Sequence, residues 1–132
     1  MIFLDASAMV SILGGESDGD AMADRLERAS VRLCSAISIW ETVAAMSLNF
    51  GFTPMMARRD VEMFRQEVGL KLVAIGETEA ELAAVAYTKF GKGRHPAALN
   101  MGDCFAYACA KANNAKLLFK GEDFSKTDIA VA

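Results

Sequence analysis

Ile2-Phe3-Leu4-Asp5-Ala6-Ser7-Ala8-Met9-Val10-Ser11-Ile12-Leu13-Gly14-Gly15 is the stretch that decides the fold. Its first three residues are apolar and of strand type, and Asp5 ends the run. Ala6 to Leu13 reads as a short helix, and Gly14-Gly15 stops it. A strand that turns into a helix within one residue opens a strand–helix–strand unit, and such units build parallel sheets. Asp5 then stands at the carboxyl end of the first strand.

The alternation continues downstream. Glu16 to Asp20 is polar, and a helix follows to about Ala29, with Met22, Leu26 and Ala29 on one stripe. Val31–Ser35 reads as the second strand. Ser38-Ile39-Trp40-Glu41 has the form of a capping box and opens a helix to about Phe50. Thr53-Pro54 opens the next, running to about Glu67. Lys71–Ile75 is a third strand, and Thr78-Glu79-Ala80-Glu81 is a second capping box before a helix to about Phe90. A basic, glycine-rich loop, Gly91 to Pro96, precedes a helix from Asn100 to about Ala112. Lys116–Lys120 is a fourth strand, Gly121–Ser125 a turn, and Ile129–Val131 a short fifth strand. The pattern predicts an α/β fold: a mostly parallel central sheet of four to five strands, flanked by helices on both faces.

At 132 residues the chain has the size of one domain, 1–132, able to bury a core without staples. Hydrophobic residues make up 53% and charged residues 23%, which excludes a disordered chain. No apolar run approaches the roughly 18 residues of a membrane span, and the N-terminus lacks the basic and long apolar regions of a secretory signal. The cytoplasm is the expected compartment, with no membrane contact. Cys34, Cys104 and Cys109 form no paired spacing and His95 is the one histidine, an inventory poor in zinc ligands. The cysteines lie in apolar stretches and read as buried thiols. Nucleophilic catalysis through histidine would rest on His95 alone. A net charge of −3 does not announce a nucleic-acid binder.

Where the acids fall matters more than their number. Ligands of parallel sheets bind at the carboxyl edge of the strands. Connectivity places Asp5, Glu41 and Asp123 there, and Asp103 joins them if its helix start is brought back to the same edge. Four carboxylates in one crevice would repel each other unless a hard cation neutralised them, which points to Mg²⁺ or Mn²⁺ and to phosphodiester hydrolysis. Each acid also has a purely structural reading. Asp5 can cap a helix, Glu41 can close a capping box with Ser38, Asp103 can favour a helix start, and Asp123 can turn the chain. Spacing alone leaves both readings open.

Taken together, four segments resemble the ordered motifs of PIN-domain ribonucleases. They are Leu4-Asp5-Ala6-Ser7-Ala8, Ser38 through Glu41, Asn100-Met101-Gly102-Asp103-Cys104-Phe105-Ala106-Tyr107-Ala108, and Leu118 through Ile129. Tyr87 to Leu99 is similar to a subgroup of VapC toxins. The resemblance implies a PIN-like fold and a Mg²⁺-dependent endoribonuclease, with Mn²⁺ as a substitute. It further implies the toxin of a VapBC-type pair, with a cognate VapB-type antitoxin, an RNA substrate, a homodimer, and operator DNA bound only through the antitoxin. Asp5 and Asp103 would be the principal metal ligands, and Glu41 would act on the metal directly or through water. Asp123 would complete the catalytic set, with Ser7 as support. Gly121 stands where many relatives carry an acid or Asn, which leaves Asp128 as a competitor for the fourth role, although support by hydrogen-bonding the turn is its favoured reading. A structure-specific DNA nuclease and a non-catalytic dimeric binding module are the alternatives.

Lys89, Lys92, Arg94 and His95 cluster just before the Asp103 helix. Lys92, Arg94 and His95 are expected to track RNA phosphates at the rim of the crevice, against the competing reading of a solvated connector. Trp40 and Phe124 could stack on bases, although core packing is the favoured reading. The apolar excess between Phe50 and Phe64 suits a partner surface.

Overall fold

The computed structural model describes residues 1–132. In chain order the elements are β1 (Ile2–Leu4), α1 (Ala6–Leu13), α2 (Gly19–Glu27), β2 (Arg32–Ser35), α3 (Ala36–Asn49) and α4 (Pro54–Glu67). There follow β3 (Leu70–Val73), α5 (Glu77–Phe90), α6 (Met101–Ala112), β4 (Lys116–Leu118) and a 3-10 turn, Phe124–Lys126. The four strands pair in parallel in the order β3-β2-β1-β4. Phe3 lies opposite Leu33 on one side and Leu117 on the other.

Period-two alternation divides the apolar side chains between two layers. Phe3, Leu33 and Leu117 point to one face and pack against Ala83, Ala86, Ala106 and Cys109 of α5 and α6. Ile2, Leu4, Cys34 and Leu118 point to the other, against Met9 of α1, Met22 and Leu26 of α2, and Phe64 of α4. Helices therefore cover both faces, as the sequence predicts for a parallel sheet. All three cysteines are buried and free. Arg32, at the start of β2, donates to Leu26 O (2.8 Å), Glu27 O (2.8 Å) and Val68 O (2.6 Å). One guanidinium thus satisfies the Glu27 and Val68 carbonyls, which the ends of α2 and α4 leave without backbone partners, and adds a second donor to Leu26 O, which already accepts from the Ala29 N–H at 3.1 Å.

Three sequence expectations shift. The fifth strand is reduced to a single parallel bridge between Leu117 and Val131, because the segment pairs with β4 over too few residues to propagate a ladder. The helix after β2 begins earlier than Ser38. Ser35 is its cap, accepting from the Ser38 N–H at 3.2 Å, so Glu41 is the sixth helical residue and not the closing acid of a capping box. Likewise α5 begins at Glu77, where the Glu79 carboxylate accepts from the Gly76 N–H at 2.8 Å and Thr78 lies inside the first turn.

The topology fixes where a ligand can enter. From β1 the chain steps outward through β2 to β3, then returns through α5 and α6 to place β4 on the opposite side of β1. The order reverses at β1, and the crevice outside the carboxyl ends of β1 and β4 is the switch point of the sheet.

Candidate active site

Asp5 is the first residue beyond β1, 4% exposed and at the bottom of that crevice. It caps α1: its Oδ2 accepts from the Ser7 N–H at 3.0 Å and from the Ser7 hydroxyl at 2.5 Å. Its other oxygen is left for the cleft. Capping and ligation are compatible here because a carboxylate has more lone-pair sites than the cap uses. Glu41 reaches the cleft from the second turn of α3, one turn above its cap. Asp103 arrives from α6. The loop from Gly91 to Leu99 is closed by hydrogen bonds from Lys92 N–H to Leu99 O and from Leu99 N–H to Phe90 O, each 2.9 Å. It hands the chain to Asn100, which forms a reciprocal capping box with Asp103: Asp103 N–H to Asn100 Oδ1 at 2.9 Å, Asn100 N–H to Asp103 Oδ2 at 3.0 Å. That box fixes the start of α6 beside β1 and supplies the return that connectivity alone left open.

Asp5, Glu41 and Asp103 line one cleft of about 390 Å³, together with Ser7, Glu16 and Lys120. Gly102 makes the convergence possible. A Cβ at this position would fall closer than 3.0 Å to the Glu41 carboxyl group, so the glycine provides the space in which that carboxylate rests against the first turn of α6.

The three acids sense one another. Burial pushes Glu41 up to about 7, and the charges of Asp5 and Asp103 push in the same direction. Burial likewise carries Asp103 up to about 6; the Asn100 N–H opposes this, and the charges of Asp5 and Asp123 add to it. Asp5 is also raised, by burial, against the hydrogen bonds from Ser7. Burial is the leading cause at all three, and like charge adds to it at Glu41 and Asp103. No three of the His, Cys, Asp or Glu side chains close into a ready-made metal cage. The donors are all oxygens, which suits a hard divalent ion that keeps several waters and takes one or two carboxylates.

The other candidate residues are placed differently. Asp123 is exposed in the turn after β4 and does not line the cleft, though its charge acts on Asp103. Asp128 is engaged elsewhere, accepting from the Tyr107 hydroxyl at 2.6 Å and pairing with Lys111 at 3.4 Å, contacts that hold its carboxyl below the usual range. Lys92, Arg94 and His95 do not line the cleft. Arg94 stacks over the Tyr87 ring at 5.1 Å, and His95 Nδ1 accepts from the Ala97 N–H at 3.0 Å. Phe124 is buried against Phe119, their ring centres 5.0 Å apart, so it is a core residue and not a stacking platform. Trp40 goes the other way: it is 69% exposed, which corrects the expectation of core packing. Sequence reasoning missed Glu16, Lys120 and the space at Gly102. A signal for Lys120 existed, since Leu118 pairs with Leu4 and the residues that follow each strand reach the same edge.

The PIN domain family description matches residues 2–130. Ribonuclease VapC30 of Mycobacterium tuberculosis is 40% identical over 127 residues, covering 96% of this chain and 95% of that protein. Ribonuclease VapC of Mycolicibacterium smegmatis is 39% identical over 127 residues, 96% of each. Among solved structures, M. tuberculosis VapC20, described as a sarcin-ricin loop cleaving toxin, superposes with a TM-score of 0.79 at 15% identity, over 100% of this chain and 98% of that one. VapBC-1 from nontypeable Haemophilus influenzae gives 0.75 at 17% identity, over 100% and 97%. The fold, the acid-lined switch point and these likenesses agree, and the chain belongs to the VapC ribonuclease family of PIN-domain proteins.

Proposed function

We propose that the protein is a Mg²⁺-dependent endoribonuclease that serves as the toxin of a VapBC-type pair. The observation that carries this reading is the meeting of Asp5, Glu41 and Asp103 in one cleft at the switch point of the sheet, each with a raised pKa. The VapC ribonucleases to which the chain is similar support RNA as the substrate.

Asp5 and Asp103 would hold the ion, and Glu41 would act directly or through a bound water. When bound, the ion supplies charge stabilisation for the phosphate and a water of lowered pKa. The protein's own part is positioning. Ser7 fixes the Asp5 carboxylate through two hydrogen bonds, and the Asn100 box fixes that of Asp103. Asp123, at the rim, adds negative potential near Asp103 and completes the acidic set.

We assign the cognate VapB-type antitoxin to the α3–α4 groove. Ile39, Met55, Met56 and Met63 line it between Arg58, Arg59 and Glu62, and Met55 is 77% exposed. Unbranched thioether side chains framed by charge suit an amphipathic partner segment. A homodimer, and operator DNA bound only through the antitoxin, complete the proposal.

The test is cleavage of labelled single-stranded RNA and flap DNA with Mg²⁺ and with chelator. RNA is cut, chelator stops it, and Asp5→Asn or Asp103→Asn abolishes it while the fold persists. Cutting of DNA alone, or parental RNA cleavage by both variants, rejects the reading.

A further inference from the structure

The acid cleft carries one cation among its lining residues, Lys120. Its main chain is tied to the buried acid through a single hydroxyl. The Lys120 N–H donates to Ser7 Oγ at 3.0 Å, and the same Ser7 hydroxyl donates to Asp5 Oδ2 at 2.5 Å. Its ammonium, by contrast, reaches across to the α1–α2 connection. There it meets Glu16, which also lines the cleft, and Asp18 at 3.4 Å. Asp18 is itself held by the Ser11 hydroxyl.

The Lys120 and Glu16 side chains are 40% and 28% exposed. A pair so open to water adds little stability and exchanges partners at little cost. An entering polyanion faces the charges of Asp5, Glu41, Asp103 and Glu16, and it needs a cation inside the cleft to offset them. The basic loop does not provide one there, and Lys111 is committed to Asp128.

We propose that Lys120 is the phosphate-contacting residue of the cleft, and that Glu16, backed by Asp18, is a built-in competitor that holds the ammonium until a nucleic-acid phosphate displaces it. This rests on the ribonuclease reading and adds to it the residue that grips the strand and the residue that opposes the grip. The register through Ser7 places the root of Lys120 beside Asp5, so a phosphate held by its ammonium lies near the acids.

The alternative role is a tie between the α1–α2 connection and β4. Both Lys120→Met and Glu16→Gln break the pair, so a tie predicts that both act in the same direction. A phosphate contact predicts opposite directions. The experiment measures binding of a short fluorescein-labelled single-stranded RNA by anisotropy, in Mg²⁺ and in chelator across a salt series. It is accompanied by KM and kcat for cleavage of total bacterial RNA. Lys120→Met is expected to weaken binding about tenfold, flatten the salt slope by about one, and raise KM more than it lowers kcat. Lys120→Arg retains binding. Glu16→Gln tightens binding by a few-fold, since the ammonium is released.

Parental affinity in Lys120→Met, or shifts of one sign in both variants, overturns the proposal while wild-type cleavage leaves the ribonuclease reading standing. A wild-type protein that neither binds nor cuts RNA overturns both.

Discussion

Gly102→Ala separates function from stability with a single methyl group. In α6 the glycine occupies the second helical position, and alanine there favours the helix by up to about 1 kcal/mol. The atoms nearest the added Cβ all belong to the Glu41 carboxyl group, which it would approach more closely than 3.0 Å. That group is the far end of a flexible side chain, so it retreats without moving backbone. Restoring ordinary van der Waals contact takes a displacement on the order of 1 Å, and a misplacement of that size at a reacting centre costs about 100-fold in rate. The variant is therefore expected to melt at or above the parental temperature while RNA cleavage falls by about two orders of magnitude. Glu41→Asp in the same background shortens the side chain by one methylene, withdraws the carboxylate from the new methyl, and recovers part of the loss. The assay is single-turnover cleavage beside calorimetric melting and Mg²⁺ titration. A Gly102→Ala protein with parental cleavage would refute the reasoning, because it would show that the place of the Glu41 carboxylate against α6 does not matter.

Stability without metal should depend on pH in a defined direction. Glu41 rises from its ordinary 4.5 to about 7 on folding and Asp103 from 3.8 to about 6, so the folded state holds the extra protons across that window and stability falls as pH rises from about 4 to 7. The loss is at most about 6 kcal/mol for the two groups together, reversed by Mg²⁺ at the upper end, and urea unfolding with chelator checks it; a rise over the same window contradicts the assignment. Arg32→Met strands the Glu27 and Val68 carbonyls at the ends of α2 and α4, while Leu26 O keeps the Ala29 N–H, and urea titration should show a loss of about 2 kcal/mol with cleavage of the folded protein unchanged. Arg94→Ala removes a cation that sits over Tyr87 and outside the cleft, so binding of long RNA should weaken and flatten with salt while the shortest cleavable RNA and Mg²⁺ titration are unaffected.

The layers of the fold were legible because one residue pattern answers to one physical cause. Phe3 and its flanking neighbours Ile2 and Leu4 must face opposite ways in a strand, so a triplet buried on both sides announces a sheet with helices above and below. Asp5 was legible for the same reason, standing at the end of that triplet. The start of α3 was not. Ser35 and Ser38 are both good caps three residues apart, and local chemistry does not choose between them; β2 chooses, because its ladder with β3 runs through Ser35. Core packing was expected of both Trp40 and Phe124, and it holds for Phe124 but not for Trp40, whose burial depends on tertiary packing. Trp40 and Glu41 are consecutive on α3 and so point in different directions, and which one faces the protein is decided by where α1 and α6 lie. Lys120 and Glu16 meet across 104 positions, a distance over which no periodicity carries information.

The cleft acids explain why the structural and chemical readings could not be separated by sequence. Asp5 is the cap of α1 and Asp103 the closing acid of the Asn100 capping box, with backbone donors at 3.0 Å each, and these arrangements hold two carboxylates where desolvation would otherwise turn them away. A helix start presents N–H groups and a positive partial charge, so it is the cheapest place in a protein to keep a buried anion. A metal-directed carboxylate and a helix cap thus call for the same residue type at the same position. Glu41 breaks the degeneracy. It caps nothing, its carboxylate has no side-chain partner, and burial and like charge both raise its pKa, yet α6 gives up a side chain at Gly102 to make room for it. A group that the fold accommodates at a cost in stability, and that contributes no bond in return, is the one whose place is best accounted for by chemistry.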